Sequence, residues 1–186
     1  MITRAEAERL RQDPRIRAFL DMIAEAEGAD YQTLVHHGRK NKVLKELSRH
    51  PGIVVKEVKG RPIPKNLWST AAGRYQFLKR TWDRLARALN LPDFSPKSQD
   101  LAAIALLAEA KAIDPILRGD IQTAIYRARK IWASFPGAGY GQGERKMSQM
   151  IAWYNSSLEK FKQIGQVIND NTGNIVLVLL GLGIFF

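Results

Sequence analysis

One amphipathic segment near the N-terminus constrains the fold of this chain more than any other feature. Asp13 can cap a helix, Pro14 suits the first turn of a helix, and Gly28 is a typical residue for a helix end. Between these positions the large apolar residues recur at helical spacing, at Ile16, Phe19, Leu20 and Ile23. The pattern predicts a helix over residues 14–27 that packs one face against a core.

The last turn of this predicted helix carries two glutamates with different environments. At about 100° per residue, Glu27 falls roughly 30° from the centre of the apolar stripe, whereas Glu25 falls on the opposite side. A carboxyl pressed against apolar surface prefers its neutral form, so we expect a raised pKa for Glu27 and a role as general acid. The residues alone leave an equal alternative, a buried structural glutamate paired with an arginine.

Four blocks of sequence, which follow one another in a fixed order along the chain, form a recognisable pattern that includes the end of this helix. The blocks are residues 19–22 with Glu27-Gly28, Ser69-Thr70 with residues 73–76, residues 94–100, and residues 131–142 (IWASFPGAGYGQ). Together they closely resemble the lambda-phage endolysin family of lytic transglycosylases. The resemblance implies a lysozyme-like fold that cleaves the glycan strand of peptidoglycan, with Glu27 in the position of the catalytic acid.

Two glycine-containing segments carry side chains that suit a sugar. Residues 73–76 combine a backbone that a ligand can approach with aromatic and amide groups, and residues 137–143 form a glycine-rich loop. Local sequence alone favours a turn with a core tyrosine and an ordinary interhelical connection. The resemblance implies instead that four side chains bind the substrate: Tyr75, Gln76, Tyr140 and Gln142.

The number of carboxylates in the first half of the chain bears on mechanism. Ordinary glycosidases need a second carboxylate, about 5 Å from the acid as a nucleophile or farther away as a base for water. Between Gly28 and Gly73 the acids are Asp30, Glu46 and Glu57, and none lies in a motif that fixes it across a cleft. The resemblance implies a route that uses Glu27 alone, closes a 1,6-anhydro ring and requires no metal or organic cofactor. A muramidase in which Glu57 or Asp30 activates water is the rival enzyme.

Composition fits one compact domain without disulfides. The chain has 186 residues, 45% of them hydrophobic, which is enough to bury a core, and it has no cysteine, as in proteins of a reducing compartment. Charged residues interrupt every apolar stretch near the N-terminus, so we expect no secretory signal. The adjacent His36 and His37 lack acidic or cysteine companions, so we expect no metal site.

The strongly basic charge favours anionic partners. Lys and Arg number 29 against 18 Asp and Glu, so the net charge is 29 − 18 = +11. Basic segments at residues 80–87 and 126–130 make nucleic-acid binding the runner-up, although no nucleic-acid motif accompanies them and a solvated helix face explains them too. We therefore expect a monomer that binds the peptidoglycan glycan strand and no nucleic acid. The resemblance implies that it stays in the host cytoplasm until lysis and then acts on the periplasmic wall.

The order of segments predicts an α+β arrangement, in which a mainly helical domain and a small β-containing lobe form a glycan-binding cleft. Residues 31–35 and 53–58 have strand-like composition, and a lysine-rich connection that could be partly helical separates them. The predicted later helices are one with a shared apolar face, one opened by Ser95-Pro96, a short turn at Asp114-Pro115, one capped by Asp120, and one over residues 145–161. The shared face consists of Phe77, Leu78, Trp82, Leu85 and Leu89. We expect the Ser95-Pro96 helix to run to Lys111 and the Asp120 helix to run to Ser134.

The C-terminal part lies outside the resemblance. We expect residues 1–163 to form the enzyme domain and residues 164–186 to be a polar linker with a short apolar tail. The run from Ile175 to Phe186 would span about 18 Å as a helix, shorter than the roughly 30 Å of a membrane's hydrocarbon core. A transmembrane anchor is therefore not expected, whereas partial insertion into a membrane, docking on a partner and packing on its own domain stay open.

Overall fold

The computed structural model describes residues 2–34, 44–58, 61–62, 65, 68–140 and 143–181, with side chains given for all of these except 57–58, 61–62 and 167–181. His36, His37 and Gln142 lie outside the described residues. The described helices are α1 (Arg4–Leu10), α2 (Pro14–Glu27), α3 (Lys79–Leu89), α4 (Pro96–Glu109), α5 (Ile113–Arg118), α6 (Ile121–Ala128) and α7 (Met147–Gly181). The described strands are β1 (Glu57–Val58) and β2 (Arg61–Pro62).

Helix α2 matches the prediction in its cap, its first turn and its end. The Asp13 side chain accepts a hydrogen bond from the Arg15 amide, Pro14 occupies the first turn, and Gly28 ends the helix in the left-handed region at φ 64°. The apolar stripe is fully buried, and the Phe19 ring meets the ring of Tyr154 in α7 edge-on, with centroids 6.4 Å apart. Helix α2 therefore lies in the core with α7 against it.

Helices α3 and α4 complete most of the core. The predicted face of α3 is confirmed at Phe77, Trp82, Leu85 and Leu89, which are buried, and wrong at Leu78. Leu78 is the residue before the first turn, where the side chain points away from the helix face, and it is 50% exposed. Helix α4 starts after Ser95, as predicted, but ends at Glu109 instead of Lys111, whose φ of 56° cannot continue a right-handed helix.

The two remaining predicted helices differ from the structure in their lengths. Helix α6 begins after its Asp120 cap and ends at Ala128 rather than Ser134. The Tyr126 carbonyl accepts a hydrogen bond from the Arg129 guanidinium, and the Ile131 amide turns back to the Ala128 carbonyl. Helix α7 starts at Met147 and stays helical through residues 166–174, so the backbone there is not irregular as a linker would be.

The β-containing lobe has much less regular pairing than the sequence predicts. Strands β1 and β2 form one antiparallel pair of two residues each, and single bridges join Leu34 to Ala72 and Val55 to Ser69. Of the strand predicted at 53–58, residues 57 and 58 form β1. Ile53 and Val54 are 51% and 43% exposed, so the described residues place no second layer over the start of that run. Among the described residues of this lobe, the strand pairing consists of one two-stranded antiparallel sheet and isolated bridges.

No helix in the described part of the chain combines the length and apolar content that crossing a membrane requires.

Candidate active site

Glu27 is the last residue of α2, next to the left-handed turn at Gly28. Its side chain is half-buried, whereas Glu25, two residues earlier, is exposed. The predicted difference between the two glutamates is therefore confirmed. The carboxyl of Glu27 is removed from bulk water without being sealed in the core, which is the placement a substrate-facing acid requires.

Ser134 holds the Glu27 carboxyl from a distant part of the chain. Its hydroxyl donates a hydrogen bond to Oε1 of Glu27 over 2.6 Å. Burial, the largest influence, raises the pKa of Glu27, while hydrogen bonds from the Ser134 hydroxyl and amide and the charge of Arg145 oppose that rise. The resulting carboxyl keeps its proton to higher pH than an ordinary glutamate, while the Ser134 hydroxyl holds its Oε1 atom.

Arg145 joins the same group of residues. Its Nε donates to the carbonyl of Ala26 over 2.9 Å, and its backbone amide donates to the carbonyl of Ser134 over 2.7 Å. Sequence reasoning gave no role to Ser134 or Arg145. Ser134 lies within a family-like block, but its contact with Glu27 spans 107 positions and has no local signal.

The loop that follows Ser134 is held in shape by Glu144. The two carboxylate oxygens of Glu144 accept hydrogen bonds from the amides of Gly137 and Gly139 over 2.8 and 2.7 Å, and these bonds lower the pKa of Glu144. Tyr140 is 55% exposed, and its hydroxyl donates to the carbonyl of Lys130 over 2.8 Å. The ring of Tyr140 is thus fixed at the surface, so a sugar-binding role for it stays a prediction.

Tyr75 does not have the position that its predicted role requires. It is only 1% exposed, and its hydroxyl donates to Oδ1 of Asp100 over 2.7 Å. Burial and the neighbouring Asp100 charge raise the pKa of Tyr75 well above its ordinary value. The prediction that Tyr75 contacts sugar is therefore wrong, because its ring is in the core and its hydroxyl is already bonded.

The turn around Tyr75 is tightly built and keeps Gln76 near the surface. A Cβ at Gly73, which has φ 75°, would lie 2.3 Å from Oε1 of Gln99, so only glycine fits. Gln76 also has positive φ, at 49°, is half-buried, and donates from Nε2 to the Gly73 carbonyl over 2.8 Å. Trp132 donates from its indole to the Tyr75 carbonyl over 3.0 Å, which ties this turn to the segment that carries Ser134.

A buried polar network supports the turn from below. Asp100 of α4 accepts hydrogen bonds from the hydroxyls of Tyr31 and Tyr75 and pairs with Arg11 over 2.8 Å. The guanidinium of Arg74 contacts Tyr31 over 3.0 Å and pairs over 2.5 Å with Asp21, which also accepts from Ser157 of α7. The network joins the turn to three helices and accounts for the buried charges without a ligand.

The other acids considered as a second carboxylate are not directed at Glu27. Oδ1 of Asp30 accepts from the Gln32 amide over 2.9 Å and from the Thr33 hydroxyl over 2.8 Å, within its own turn. Glu46 is exposed, and only the backbone of Glu57 is described. Within the described ranges no group of three or more His, Cys, Asp or Glu side chains could hold a metal ion.

Comparison with known proteins places this geometry in a family. Residues 17–161 match the family model for endolysins. The endolysin of Escherichia phage lambda is 42% identical over 160 residues, 83% of this chain and 93% of that protein, and the endolysin of Escherichia phage P2 is 40% identical over 151 residues, 76% and 92%.

The solved structures agree with the sequence comparison. The structure of bacteriophage lambda lysozyme complexed with a chitohexasaccharide superposes with a TM-score of 0.70 at 41% identity, covering 78% of this chain and 94% of that one. A second lambda lysozyme structure gives a TM-score of 0.62 at 38% identity, with coverage of 82% and 95%. The predicted lysozyme-like α+β fold is confirmed, and the chain belongs to the endolysin family.

Proposed function

We propose that this protein cleaves the β-1,4 bond between MurNAc and GlcNAc in peptidoglycan, by transglycosylation to 1,6-anhydro-MurNAc ends, and that it thereby lyses a phage host. Membership of the endolysin family supports the substrate class. The similar lambda lysozyme was solved with a chitohexasaccharide, which is a β-1,4-linked sugar chain. The observation that carries the proposal is the half-buried Glu27 carboxyl, which has a raised pKa and receives a hydrogen bond from Ser134.

In the first step Glu27 acts as the general acid. The neutral carboxyl transfers its proton to the glycosidic oxygen, and the bond from that oxygen to C1 of MurNAc breaks. GlcNAc leaves with a free 4-hydroxyl, and positive charge develops at C1. Because Ser134 already donates to Oε1, we assign Oε2 as the oxygen that carries the transferred proton.

In the second step the same group acts as the base. The Glu27 carboxylate accepts the proton of the C6 hydroxyl of the MurNAc residue, and the C6 oxygen forms the new bond to C1. Glu27 regains its proton, so acid and base balance over one turnover and no water is consumed. The chemistry needs one carboxyl whose two protonation states lie close in free energy, which a raised pKa provides.

The surroundings of the other acids support the one-carboxylate route. A hydrolase requires a second carboxylate that holds water or attacks C1. Asp30 is bonded to an amide within its own turn, and Glu144 is bonded to amides of the loop that precedes it. Asp21 and Asp100 are bonded to arginines and hydroxyls. In the part of the chain with described side chains, Glu27 is thus the acid that combines burial with a raised pKa.

Product mass separates this proposal from a hydrolytic muramidase that uses Asp30 or Glu57. We expect mass spectrometry of products from purified peptidoglycan to show 1,6-anhydromuramic ends, lighter by one water than reducing ends. Reducing ends as the main product would refute transglycosylation and leave a hydrolase. Asp30→Asn and Glu57→Gln are the matched variants, since only a muramidase that uses the replaced acid predicts that cleavage is abolished.

We propose Gln76, Tyr140 and Gln142 as the residues that bind the glycan. Part of the basic charge at residues 80–87 and 126–130 is engaged within the protein, because Arg84 pairs with Glu109 over 2.6 Å and Arg127 and Arg129 donate to backbone carbonyls. We propose that the remaining positive charge attracts the protein to the cell wall rather than to nucleic acid. We further propose a monomer without metal or cofactor, held in the host cytoplasm until lysis, in which the apolar run from Ile175 to Phe186 contacts membrane. Failure to cleave glycan together with salt-sensitive DNA binding would favour the nucleic-acid alternative.

A further inference from the structure

We propose that Arg145 is a positioning residue for the catalytic acid. It ties the end of α2 to Ser134 and so fixes the Glu27 carboxyl in the orientation that reaches the glycosidic oxygen. Three hydrogen bonds fix this orientation. Its importance for catalysis rests on the proposed function.

The carbonyl of Ala26, which precedes Glu27, receives its hydrogen bond from outside helix α2. In a continuing helix this carbonyl would accept from the amide of residue 30. That amide is directed elsewhere, because Asp30 donates it to the Thr33 hydroxyl over 3.0 Å. Arg145 supplies the missing donor from its Nε over 2.9 Å. The last turn of α2 contains no basic residue, so the guanidinium also provides the positive charge that a helix C-terminus favours.

The contacts among Glu27, Ser134 and Arg145 form a closed ring. Ala26 is bonded covalently to Glu27, Oε1 of Glu27 accepts from the Ser134 hydroxyl over 2.6 Å, and the Ser134 carbonyl accepts from the Arg145 amide over 2.7 Å. The Nε of Arg145 returns to Ala26 and closes the ring. Because the Arg145 side chain makes the closing bond, its loss frees the end of α2 to move relative to Ser134.

The positive charge of Arg145 also acts on the Glu27 carboxyl. Among the described residues, the groups that act on the Glu27 carboxyl are Ser134 and the cation of Arg145, and both lower its pKa against the larger effect of burial. Removing the cation leaves burial less opposed, so the pKa of Glu27 rises. The acid then keeps its proton to higher pH, and the alkaline limb of the activity profile moves upward. A residue that served stability alone would not move that limb.

The test compares Arg145→Gln with Arg145→Lys, and uses Arg127→Gln as a matched control. Arg127 also donates to a backbone carbonyl, that of Lys111 over 2.6 Å, but at the end of α4 rather than α2. The readouts are kcat, KM and the pH profile on soluble glycan, and the titration of the Glu27 side-chain carbon by NMR.

We expect Arg145→Gln to lower kcat by about 10- to 100-fold with little change in KM, since small misplacements of a reacting group have effects of that order. Its alkaline limb and its Glu27 titration should both move to higher pH. Arg145→Lys keeps the charge but has a carbon where Nε was, so kcat should fall while the titration stays near that of the wild type. Arg127→Gln should keep the wild-type kcat and pH profile.

A folded Arg145→Gln protein with wild-type kcat and an unmoved Glu27 titration overturns the proposal. If that variant does not fold, Arg145→Lys decides, and a wild-type kcat there overturns the positioning role. Absence of glycan cleavage in the wild type would refute the proposed function instead. The Glu27 titration still tests the ring in that case, because it needs no substrate.

Discussion

Replacing Glu27 by glutamine removes the transferable proton while changing little else at the site. The amide oxygen of glutamine can still accept the 2.6 Å hydrogen bond from the Ser134 hydroxyl, so the side chain should keep its position. Its NH2 group occupies the place of the acid hydroxyl but cannot protonate a glycosidic oxygen. We expect cleavage to fall by ~10² to 10⁴-fold, the usual loss for general acid catalysis, or about 2.7–5.4 kcal/mol in activation free energy.

The same substitution should affect stability in the opposite direction. The folded state raises the pKa of Glu27 above its ordinary value of 4.5, so it binds the proton more tightly than the unfolded chain does. The carboxylate therefore destabilises the fold as pH rises above 4.5, fully so above the raised pKa, and this destabilisation disappears at acid pH. Each unit by which the fold raises the pKa of Glu27 lowers the free energy of unfolding by at most about 1.4 kcal/mol at high pH. The effect is smaller here because water reaches the half-buried carboxyl.

The assay pairs turnover on purified glycan with denaturant unfolding at acid and neutral pH. We expect Glu27→Gln to show this fall in turnover, and to be more stable than the wild type at neutral pH but not at acid pH. Glu25→Gln is the matched control, because Glu25 is exposed on the opposite side of the same helix turn and should keep both activity and stability. A folded Glu27→Gln protein with wild-type cleavage, or loss of cleavage in Glu25→Gln, would refute the assignment of the acid.

Two further changes test the support of the site and the role of the tail. Gly73→Ala should lower the free energy of unfolding by about 2–4 kcal/mol in denaturant titrations. The strain of a positive φ adds to the clash of the new Cβ, which would lie 2.3 Å from Oε1 of Gln99. Gly119→Ala, at φ 80° with nothing within 4 Å of its Cβ, should lose only about 1 kcal/mol, and equal losses would contradict the crowding argument. Deleting residues 165–186 should leave cleavage of soluble glycan nearly intact, since the family match ends at residue 161, and should reduce vesicle binding or aggregation. Loss of folding in the deletion variant would place the tail in the core.

The parts of the fold that the sequence predicted well are those that short-range chemistry determines. The start of α2 depends on Asp13 and Pro14, and its end depends on Gly28, all within a turn of the helix. The buried face of α7 follows in the same way from 3.6-residue spacing. Such signals do not fix where a helix stops when a side chain takes a backbone carbonyl, as at the end of α6, where the Arg129 guanidinium donates to the Tyr126 carbonyl.

The candidate site was predictable only in part, because its contacts join residues that lie far apart in the sequence. Helical geometry and the family resemblance both indicated Glu27, whereas for Tyr75 local sequence favoured a place in the core and the resemblance implied a sugar contact. The role of Tyr75 depends on Asp100, which lies 25 residues away on another helix, and that of Ser134 depends on a contact with α2. Pair contacts of this range require the assembled fold.

The segment around Ser134 links the two sides of the proposed cleft. Trp132 bonds to the Tyr75 carbonyl in the turn next to the non-helical lobe, and Ser134, two residues later, bonds to the acid at the end of α2. Trp132 is only 3% exposed, so this short segment is anchored in the core between its two contacts. A change in the turn that carries Gln76 must therefore act on the donor that holds Glu27. These two contacts fix the Glu27 carboxyl relative to the turn that carries Gln76, which is the arrangement that the proposed one-carboxylate route needs.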